Sequence, residues 1–144
     1  MQVVQVLKSK GSDGIETVRP GTLVGEAAKV LAEKRIGTVV VSEDGVKPLG
    51  ILSERDIVRE LAVRGGACLE LPVDEFMTSR LSTCTREDDA NDVLTRMTEG
   101  RFRHMPVVED GRMVGIITLG DVVKARLAEL AMENSALEGM IMGH

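Results

Sequence analysis

The stretch Arg101–Val123 reads R-F-R-H-M-P-V-V-E-D-G-R-M-V-G-I-I-T-L-G-D-V-V. It contains two apolar runs, Met105–Val108 and Met113–Ile117, separated by four residues centred on Asp-Gly. An Asp-Gly pair between apolar runs is the strongest short-range signal of a β-hairpin. The second run leads through Thr118 and Asp121 into a segment with helical apolar periodicity. The sequence therefore predicts a hairpin whose second strand passes directly into a helix.

The chain contains an earlier copy of this stretch, Arg35–Val58, which reads R-I-G-T-V-V-V-S-E-D-G-V-K-P-L-G-I-L-S-E-R-D-I-V. The matching positions include the end of the helix, the strands, the turn and the strand-to-helix junction. They pair as Arg35 with Arg101, Val41 with Val107, Gly45 with Gly111, Gly50 with Gly115, Ser53 with Thr118 and Asp56 with Asp121. Near the start of each copy, Val3, Val6 and Leu7 similarly match Val73, Phe76 and Met77. This pattern indicates a tandem duplication that spans nearly the whole chain.

Each copy resembles a CBS domain, the module named after cystathionine β-synthase, and the whole chain resembles a stand-alone pair of them. The resemblance rests on the apolar strand pair, the G-x-x-[S/T]-x-x-D element and the preceding helix rich in Ala and Leu. It implies an α+β fold in which each repeat has a small three-stranded sheet with helices on one face. The two repeats are expected to pair by pseudo-twofold symmetry.

We expect repeat 1 to cover residues 1–70 and repeat 2 residues 71–144. The short additional strand of repeat 2 is predicted at Ser82–Cys84. The last helix begins at Leu119 and is expected to extend beyond the part that has a counterpart in repeat 1.

Composition limits the possible functions. Apolar residues make up 43% of the chain and aromatic residues 1%, so the core must consist of aliphatic side chains and methionine. The net charge of −5 disfavours a nucleic-acid-binding surface. Two cysteines, Cys68 and Cys84, are too few for a disulfide framework or a cysteine zinc site. With no apparent signal peptide or membrane-spanning segment, the sequence predicts a cytoplasmic protein.

The pairs Ser53/Asp56 and Thr118/Asp121 have two compatible interpretations. A hydroxyl at the start of a helix with an acid three residues later is a capping box, which only terminates the helix. The CBS resemblance implies that the hydroxyl also meets phosphate and that the aspartate takes both ribose hydroxyls. A helix N-terminus favours an anion, and an ionised carboxylate accepts paired hydroxyl donors. We expect both roles at both positions.

Arg103 and His104, together with Arg101, form a dense cationic group in an acidic chain. One interpretation is a solvated entrance to the strand. The resemblance instead places Arg103 and His104 beside the phosphates of a ligand, while the side on which Arg101 lies stays open. Repeat 1 has Gly37 and Thr38 at the two aligned positions, so its phosphate affinity is expected to be lower. The resemblance also implies two clefts that lie close together, which leaves open that Arg103 or His104 reaches across to the first one.

Further candidate ligand contacts lie on the strands. Met105 and Val39 occupy matching positions near where the resemblance places an adenine ring between apolar side chains, although core packing explains them equally well. Thr38 is the position that aligns with His104. Thr17 and Thr83, near the short strands, are weaker candidates for contacts with the base or the ribose.

No catalytic machinery is apparent, and the protein is predicted not to be an enzyme. Its two histidines, His104 and His144, cannot build a histidine metal site or a catalytic triad. Phosphate loops of Walker or Rossmann spacing are also missing.

The leading hypothesis is a regulatory, energy-sensing module that binds AMP, ATP or NAD(H) between its two repeats. It would need no other cofactor, and it would signal to a separate effector protein. The alternative is a structural dimerisation module without a ligand-controlled role. A homodimer is expected in both cases, because helices on one side of each sheet leave apolar faces to cover.

Overall fold

The computed structural model describes residues 1–10 and 15–141, so His144 lies outside the described residues. The helices are α1 Val3–Ser9, α2 Val24–Lys34, α3 Glu54–Arg64, α4 Ala90–Gly100 and α5 Leu119–Ile141. The strands are β1 Thr17–Val18, β2 Thr38–Val41, β3 Gly50–Ser53, β4 His104–Glu109 and β5 Arg112–Thr118. Two 3₁₀ turns, Gly65–Glu70 and Val73–Glu75, join the repeats.

The predicted hairpin is confirmed as β4 and β5, which pair antiparallel. Asp110 and Gly111 at its tip have φ values of 52° and 78°. Positive φ at both central residues is the requirement of the type I′ turn, whose twist matches that of the flanking strands. In repeat 1, β2 pairs with β3 in the same antiparallel manner. The structure thus confirms the α+β class with two related halves.

The two sheets differ in their third strand. In repeat 1, β1 runs parallel to β2, and the Val40 N–H donates to the Glu16 carbonyl at 3.0 Å. The strand predicted at Ser82–Cys84 is reduced to a single bridge between Cys84 and Val107. Pro106 occupies the position equivalent to Val40 and has no N–H to donate, so the ladder cannot continue to Ser82.

The chain has two hydrophobic cores, and each contains residues from the start of the other repeat. The core of repeat 1 contains Val18, Val24, Ala27, Leu31, Val39, Val41, Leu52, Ile57 and also Val73. The core of repeat 2 contains Cys84, Ala90, Val93, Met97, Met105, Val107, Ile117, Val122 and also Val3 and Val6. The exchange ties the repeats together, since α1 packs on repeat 2 and the turn at Val73 packs on repeat 1.

The exchanged segments meet equivalent glycines. A Cβ at Gly115 would lie 2.9 Å from Leu7 Cδ2, and a Cβ at Gly50 would lie 2.4 Å from Met77 Sδ. Both distances are shorter than ordinary van der Waals contact, so only glycine leaves room for these side chains. The match between Leu7 and Met77 in the sequence therefore corresponds to two equivalent contacts in the fold.

Helix α5 continues well past the body of repeat 2. Along it lie large apolar side chains with substantial exposure: Val123, Leu127, Leu130, Met132, Leu137, Met140 and Ile141. Within residues 1–10 and 15–141, no helix is both long and apolar enough to cross a membrane.

Candidate functional site

A cavity of about 850 Å³ lies between the two repeats. Its walls come mainly from the junction of β3 and α3, from residues 78–82, from residues 100–104 and from the start of α5. Both strand-to-helix junctions that carry the repeated hydroxyl therefore contribute to one space.

Ser53 and Asp56 form a reciprocal capping box at the start of α3. The Asp56 N–H donates to Ser53 Oγ at 3.2 Å, and the Ser53 N–H donates to Asp56 Oδ2 at 2.9 Å. The Ser53 hydroxyl donates to the same carboxylate oxygen at 2.9 Å. Asp56 Oδ1 faces Arg59 Nη1 at 3.8 Å, and the Arg59 side chain is 71% exposed. The Asp56 side chain itself is 20% exposed.

Thr118 and Asp121 repeat the same box at the start of α5. The Thr118 N–H donates to Asp121 Oδ2 at 2.9 Å, and the Asp121 N–H donates to Thr118 Oγ1 at 3.0 Å. The capping interpretation is therefore confirmed in both repeats. Such a box satisfies two N–H groups at the start of a helix that have no partner within the helix.

The second aspartate also carries an ion pair that the sequence analysis missed. Lys10 Nζ lies 2.8 Å from Asp121 Oδ2, and it donates to the Ile116 carbonyl at 2.7 Å. The side chains of Lys10 and Asp121 are 21% and 22% exposed. The carboxylate at the second junction thus has a closer cation partner than that of Asp56.

The cavity is strongly cationic. Five arginines contribute to its walls: Arg55, Arg59, Arg80, Arg101 and Arg103. Two carboxylates, those of Glu54 and Asp56, share the walls with them. The local charge is therefore positive although the whole chain has a net charge of −5. Guanidinium groups bind phosphate with paired hydrogen bonds, so such walls favour a phosphorylated ligand.

His104 lies in the wall of this cavity, and burial lowers its pKa below the usual 6.5. The Asp121 carboxylate opposes this shift and Lys10 reinforces it. The imidazole is therefore neutral at pH 7 and can act as a hydrogen-bond donor or acceptor, while the positive charge of the cavity comes from the arginines.

The structure brings five of the predicted site residues together in the cavity wall: Ser53, Asp56, Thr118, Arg103 and His104. Arg101 also lines this cavity, which settles on which side of the strand it lies. It ends α4 with a φ of 57°, as Arg35 ends α2 with a φ of 54°. Arg103 and His104 were assigned to the site of repeat 2, but they lie in the same cavity as Asp56 of repeat 1.

The other predicted residues are not in this cavity wall. Val39 and Met105 have no exposed surface and belong to the two cores, so their side chains pack the interior. Asp121 is paired with Lys10. The remaining three are Thr38, Thr17 and Thr83. Their contact with a ligand stays a prediction.

The threonines have distinct surroundings. Thr38 pairs with Ser53 across β2 and β3, and its buried hydroxyl has no hydrogen-bond partner among the described residues. Thr17 begins β1. The Thr83 carbonyl accepts a bond from Arg96 at 2.8 Å.

The sequence analysis missed four cations near the two capping boxes: Arg55, Arg59, Lys10 and Arg80. A comparison of the repeats could have found Lys10 and Arg80. Arg55 and Arg59 follow the capping serine on the first turns of α3, where helical spacing places them near each other. Lys10 and Arg80 match each other at the same 70-residue spacing as Leu7 and Met77. Extending the match between Leu7 and Met77 by three positions reaches these two cations.

The remaining reactive side chains give no sign of another site. Burial raises the pKa of Cys84 to about 11, so its thiol is unreactive at neutral pH. Among residues 1–10 and 15–141, no cluster of three histidine, cysteine or acidic residues could hold a metal ion.

Comparisons with known proteins agree with this architecture. The family model of the CBS domain matches residues 11–63 and 73–128. The CBS-domain containing protein ATU1752 from Agrobacterium tumefaciens superposes with a TM-score of 0.82 and is 45% identical, covering 88% of this chain and 99% of its own.

Two further similar structures contain ligands. The CBS domain protein PAE2072 from Pyrobaculum aerophilum, complexed with AMP, has a TM-score of 0.77 and 26% identity, over 92% of this chain and 99% of its own. The CBS domain pair of protein MJ0100, in complex with 5′-methylthioadenosine and S-adenosyl-L-methionine, has a TM-score of 0.78 and 25% identity, over 90% and 98%. With two matched repeats covering most of its length, the chain belongs to the CBS domain family.

Proposed function

We propose that this chain is a regulatory module that binds a phosphorylated adenosine ligand between its two repeats and signals to a separate effector protein. The observation that carries the proposal is the composition of the central cavity. It combines the start of α3, the carboxylate of Asp56 and five arginines within one space.

Each part of this cavity suits one part of a nucleotide. The N–H groups at the start of α3 and the Ser53 hydroxyl favour a phosphate. Asp56 is an acceptor for ribose hydroxyls. Among AMP, ATP and NAD(H), all three carry the phosphate that the arginines favour. The AMP complex of PAE2072 supports this ligand class, whereas the two ligands of MJ0100 contain adenosine without phosphate.

The first test is isothermal titration calorimetry of the purified chain with AMP, ATP and NADH, before and after Asp56→Ala. A charge-assisted hydrogen bond is worth ~1.5–3 kcal/mol, so the substitution should weaken binding at its cleft by about 10–150-fold. Asp89→Ala is the matched control, because it also removes a helix cap, at the start of α4, but not a cavity residue. Silence of all three nucleotides at millimolar concentration would contradict the proposal.

The sequence also predicts that the module has no catalytic activity of its own and works in the cytoplasm. Both expectations are part of the proposal. Incubation of the chain with ATP or NADH, followed by chromatography of the nucleotides, should return them unchanged.

A second candidate function is dimerisation, and the exposed apolar side chains of α3 and α5 favour it. Val63 is 76% exposed and Leu127 is 62% exposed. Leu127, Leu130 and Leu137 lie on one face of α5, and a second copy of the chain could cover such a stripe. We propose a homodimer in which these faces are buried, whether or not a nucleotide is bound.

Light scattering tests the dimer. The parent chain is expected to have twice the monomer mass of 15.5 kDa at micromolar concentration. Leu127→Glu should shift it toward the monomer, whereas Met132→Glu on the opposite face of α5 should not. A monomeric parent chain would rule the homodimer out.

A further inference from the structure

The expected ribose sites at Asp56, called here the first cleft, and at Asp121, called the second cleft, differ in the cation that the exchanged segments bring to them. Leu7 packs on Gly115 and Met77 packs on Gly50, and the residues three positions later are Lys10 and Arg80. These two cations are therefore structural equivalents. Arg80 lines the cavity beside Asp56, while Lys10 lies on the carboxylate of the second repeat.

The contacts of the two cations are different. Lys10 bonds to Asp121 Oδ2 at 2.8 Å and to the Ile116 carbonyl at 2.7 Å, and about a fifth of its side chain is exposed. Arg80 forms no ion pair within the described parts of the chain, 1–10 and 15–141. The carboxylate of Asp121 therefore has a cation at 2.8 Å, whereas the ion pair of Asp56 is the longer one with Arg59, at 3.8 Å.

We propose that Lys10 is a specificity-determining residue of the second cleft, where it excludes bare nucleosides and admits phosphorylated ones. This inference rests on the proposed function, in which ribose hydroxyls bind the aspartate. A nucleoside whose two ribose hydroxyls take both carboxylate oxygens of Asp121 must displace the ammonium group from Oδ2, and it offers the ammonium nothing in return. A nucleotide brings a phosphate, which gives the displaced ammonium a new anionic partner.

The surroundings of Lys10 make this exchange of partners geometrically reasonable. The charges of Asp121, Lys10 and Arg103 all act on the pKa of His104, so these groups lie near one another. Thr118 and the start of α5, where a phosphate is favoured, are one helical turn from Asp121. The ammonium group can therefore move from the carboxylate toward a phosphate at the start of α5.

Titration calorimetry with adenosine and AMP tests the role of Lys10. The second cleft is isolated by Asp56→Ala, and Lys10→Met then removes the charge while keeping the length of the side chain. We expect adenosine to bind about tenfold more tightly after Lys10→Met, because no ion pair has to be broken. AMP should change less, since it loses its contact with the ammonium as it gains access to Asp121. The ratio of the two dissociation constants should therefore fall.

Arg80→Met in the Asp121→Ala background is the matched control for the first cleft. Adenosine affinity should not rise there, because Arg80 has no ion pair with the aspartate to break. Lys10→Gln, which keeps a hydrogen-bond donor for the Ile116 carbonyl, provides a second variant in case Lys10→Met folds poorly.

The possible results separate the two proposals. If AMP binds but the adenosine-to-AMP ratio is the same with either Lys10 variant, the role of Lys10 is overturned and the proposed function stands. If the second cleft binds neither ligand with or without the Lys10 substitutions while the parent chain binds AMP, the role of Lys10 is likewise overturned. If AMP does not bind the parent chain at all, both proposals fall.

Discussion

Asp56 and Asp121 occupy equivalent positions in the two repeats and both form a reciprocal capping box, yet their carboxylates have different cation partners. Asp121 is paired with Lys10 at 2.8 Å, whereas Asp56 is paired with the exposed Arg59 at 3.8 Å. The motif itself cannot cause this difference, since its geometry is shared. The difference arises from the exchanged segments at the start of each repeat, which bring Lys10 to one cleft and Arg80 to the other.

The second difference concerns which repeat supplies the cations that are expected to bind phosphate. Arg103 and His104 belong to repeat 2, where repeat 1 has Gly37 and Thr38. They nevertheless line the cavity that contains Asp56. Because the repeats face each other across this cavity, cations of one repeat lie in the same space as the aspartate of the other. Which cleft gains more from a phosphate therefore stays a prediction.

The largest expected effect tests whether the matching residues Val39 and Met105 are core residues alone. Met105→Ala removes a side chain without exposed surface and should lower the free energy of unfolding by ~2–5 kcal/mol. Val39→Ala removes less volume and should cost less. Urea denaturation measures both. If either variant keeps its stability and loses nucleotide binding, that residue contacts the ligand rather than packing the core.

Arg103→Ala tests whether cations act across the cavity. In the Asp121→Ala background, which isolates the first cleft, it should weaken ATP binding by about tenfold and adenosine binding very little, because the lost contact is to phosphate. Arg112→Ala, at the exposed start of β5, is the control. Equal weakening of ATP and adenosine would mean that Arg103 supports the structure of the cavity instead.

The features that could be predicted from the sequence are those set by local chemistry. The Asp-Gly turn, the two capping boxes and the duplicated hairpin depend on residues close together in the chain, and all of them are present. The shortening of the strand at Ser82–Cys84 also has a local cause, because Pro106 lacks the N–H that a longer ladder requires. This shortening could therefore also be predicted from the sequence.

The ion pair between Lys10 and Asp121 depends on the exchange of segments between the repeats. Hydrophobic periodicity in α1 shows that the helix has an apolar face, but not which of two similar cores that face will cover. The position of Arg103 beside Asp56 depends in the same way on how the repeats face each other. Such long-range choices are fixed by packing, which a single sequence does not reveal.

The pH dependence of stability tests a smaller difference between the repeats. Repeat 2 has the titratable His104 where repeat 1 has Thr38. Burial lowers the pKa of His104 in the folded chain below the usual 6.5, so between these two values the unfolded chain binds more protons. The contribution of neutral His104 to stability is complete above pH 6.5 and is lost as the pH falls through the lower folded pKa. His104→Gln should therefore flatten the fall in unfolding free energy between pH 7 and pH 5. Parallel curves for parent and variant would contradict the buried, neutral histidine.

The smallest net effect is expected for Pro106→Val, which makes the second sheet chemically similar to the first. The new N–H at position 106 could donate to the Ser82 carbonyl, as Val40 donates to Glu16 at 3.0 Å. That bond is worth ~0.5–1.5 kcal/mol, but loss of the proline costs ~0.4–1 kcal/mol through the freer unfolded chain. The two terms nearly cancel, so the melting temperature should hardly move.

Hydrogen exchange can detect the new bond even without a change in stability. In Pro106→Val the amide at position 106 should be as protected as the Val40 amide, and the bridge at Cys84 should lengthen into a strand. Val40→Pro is the reverse control, since it removes the same bond from repeat 1 and should be clearly destabilising because β2 is the central strand. Rapid exchange of the new amide would show that the direction of the chain at Ser82, and not the missing N–H of Pro106, limits the sheet of repeat 2.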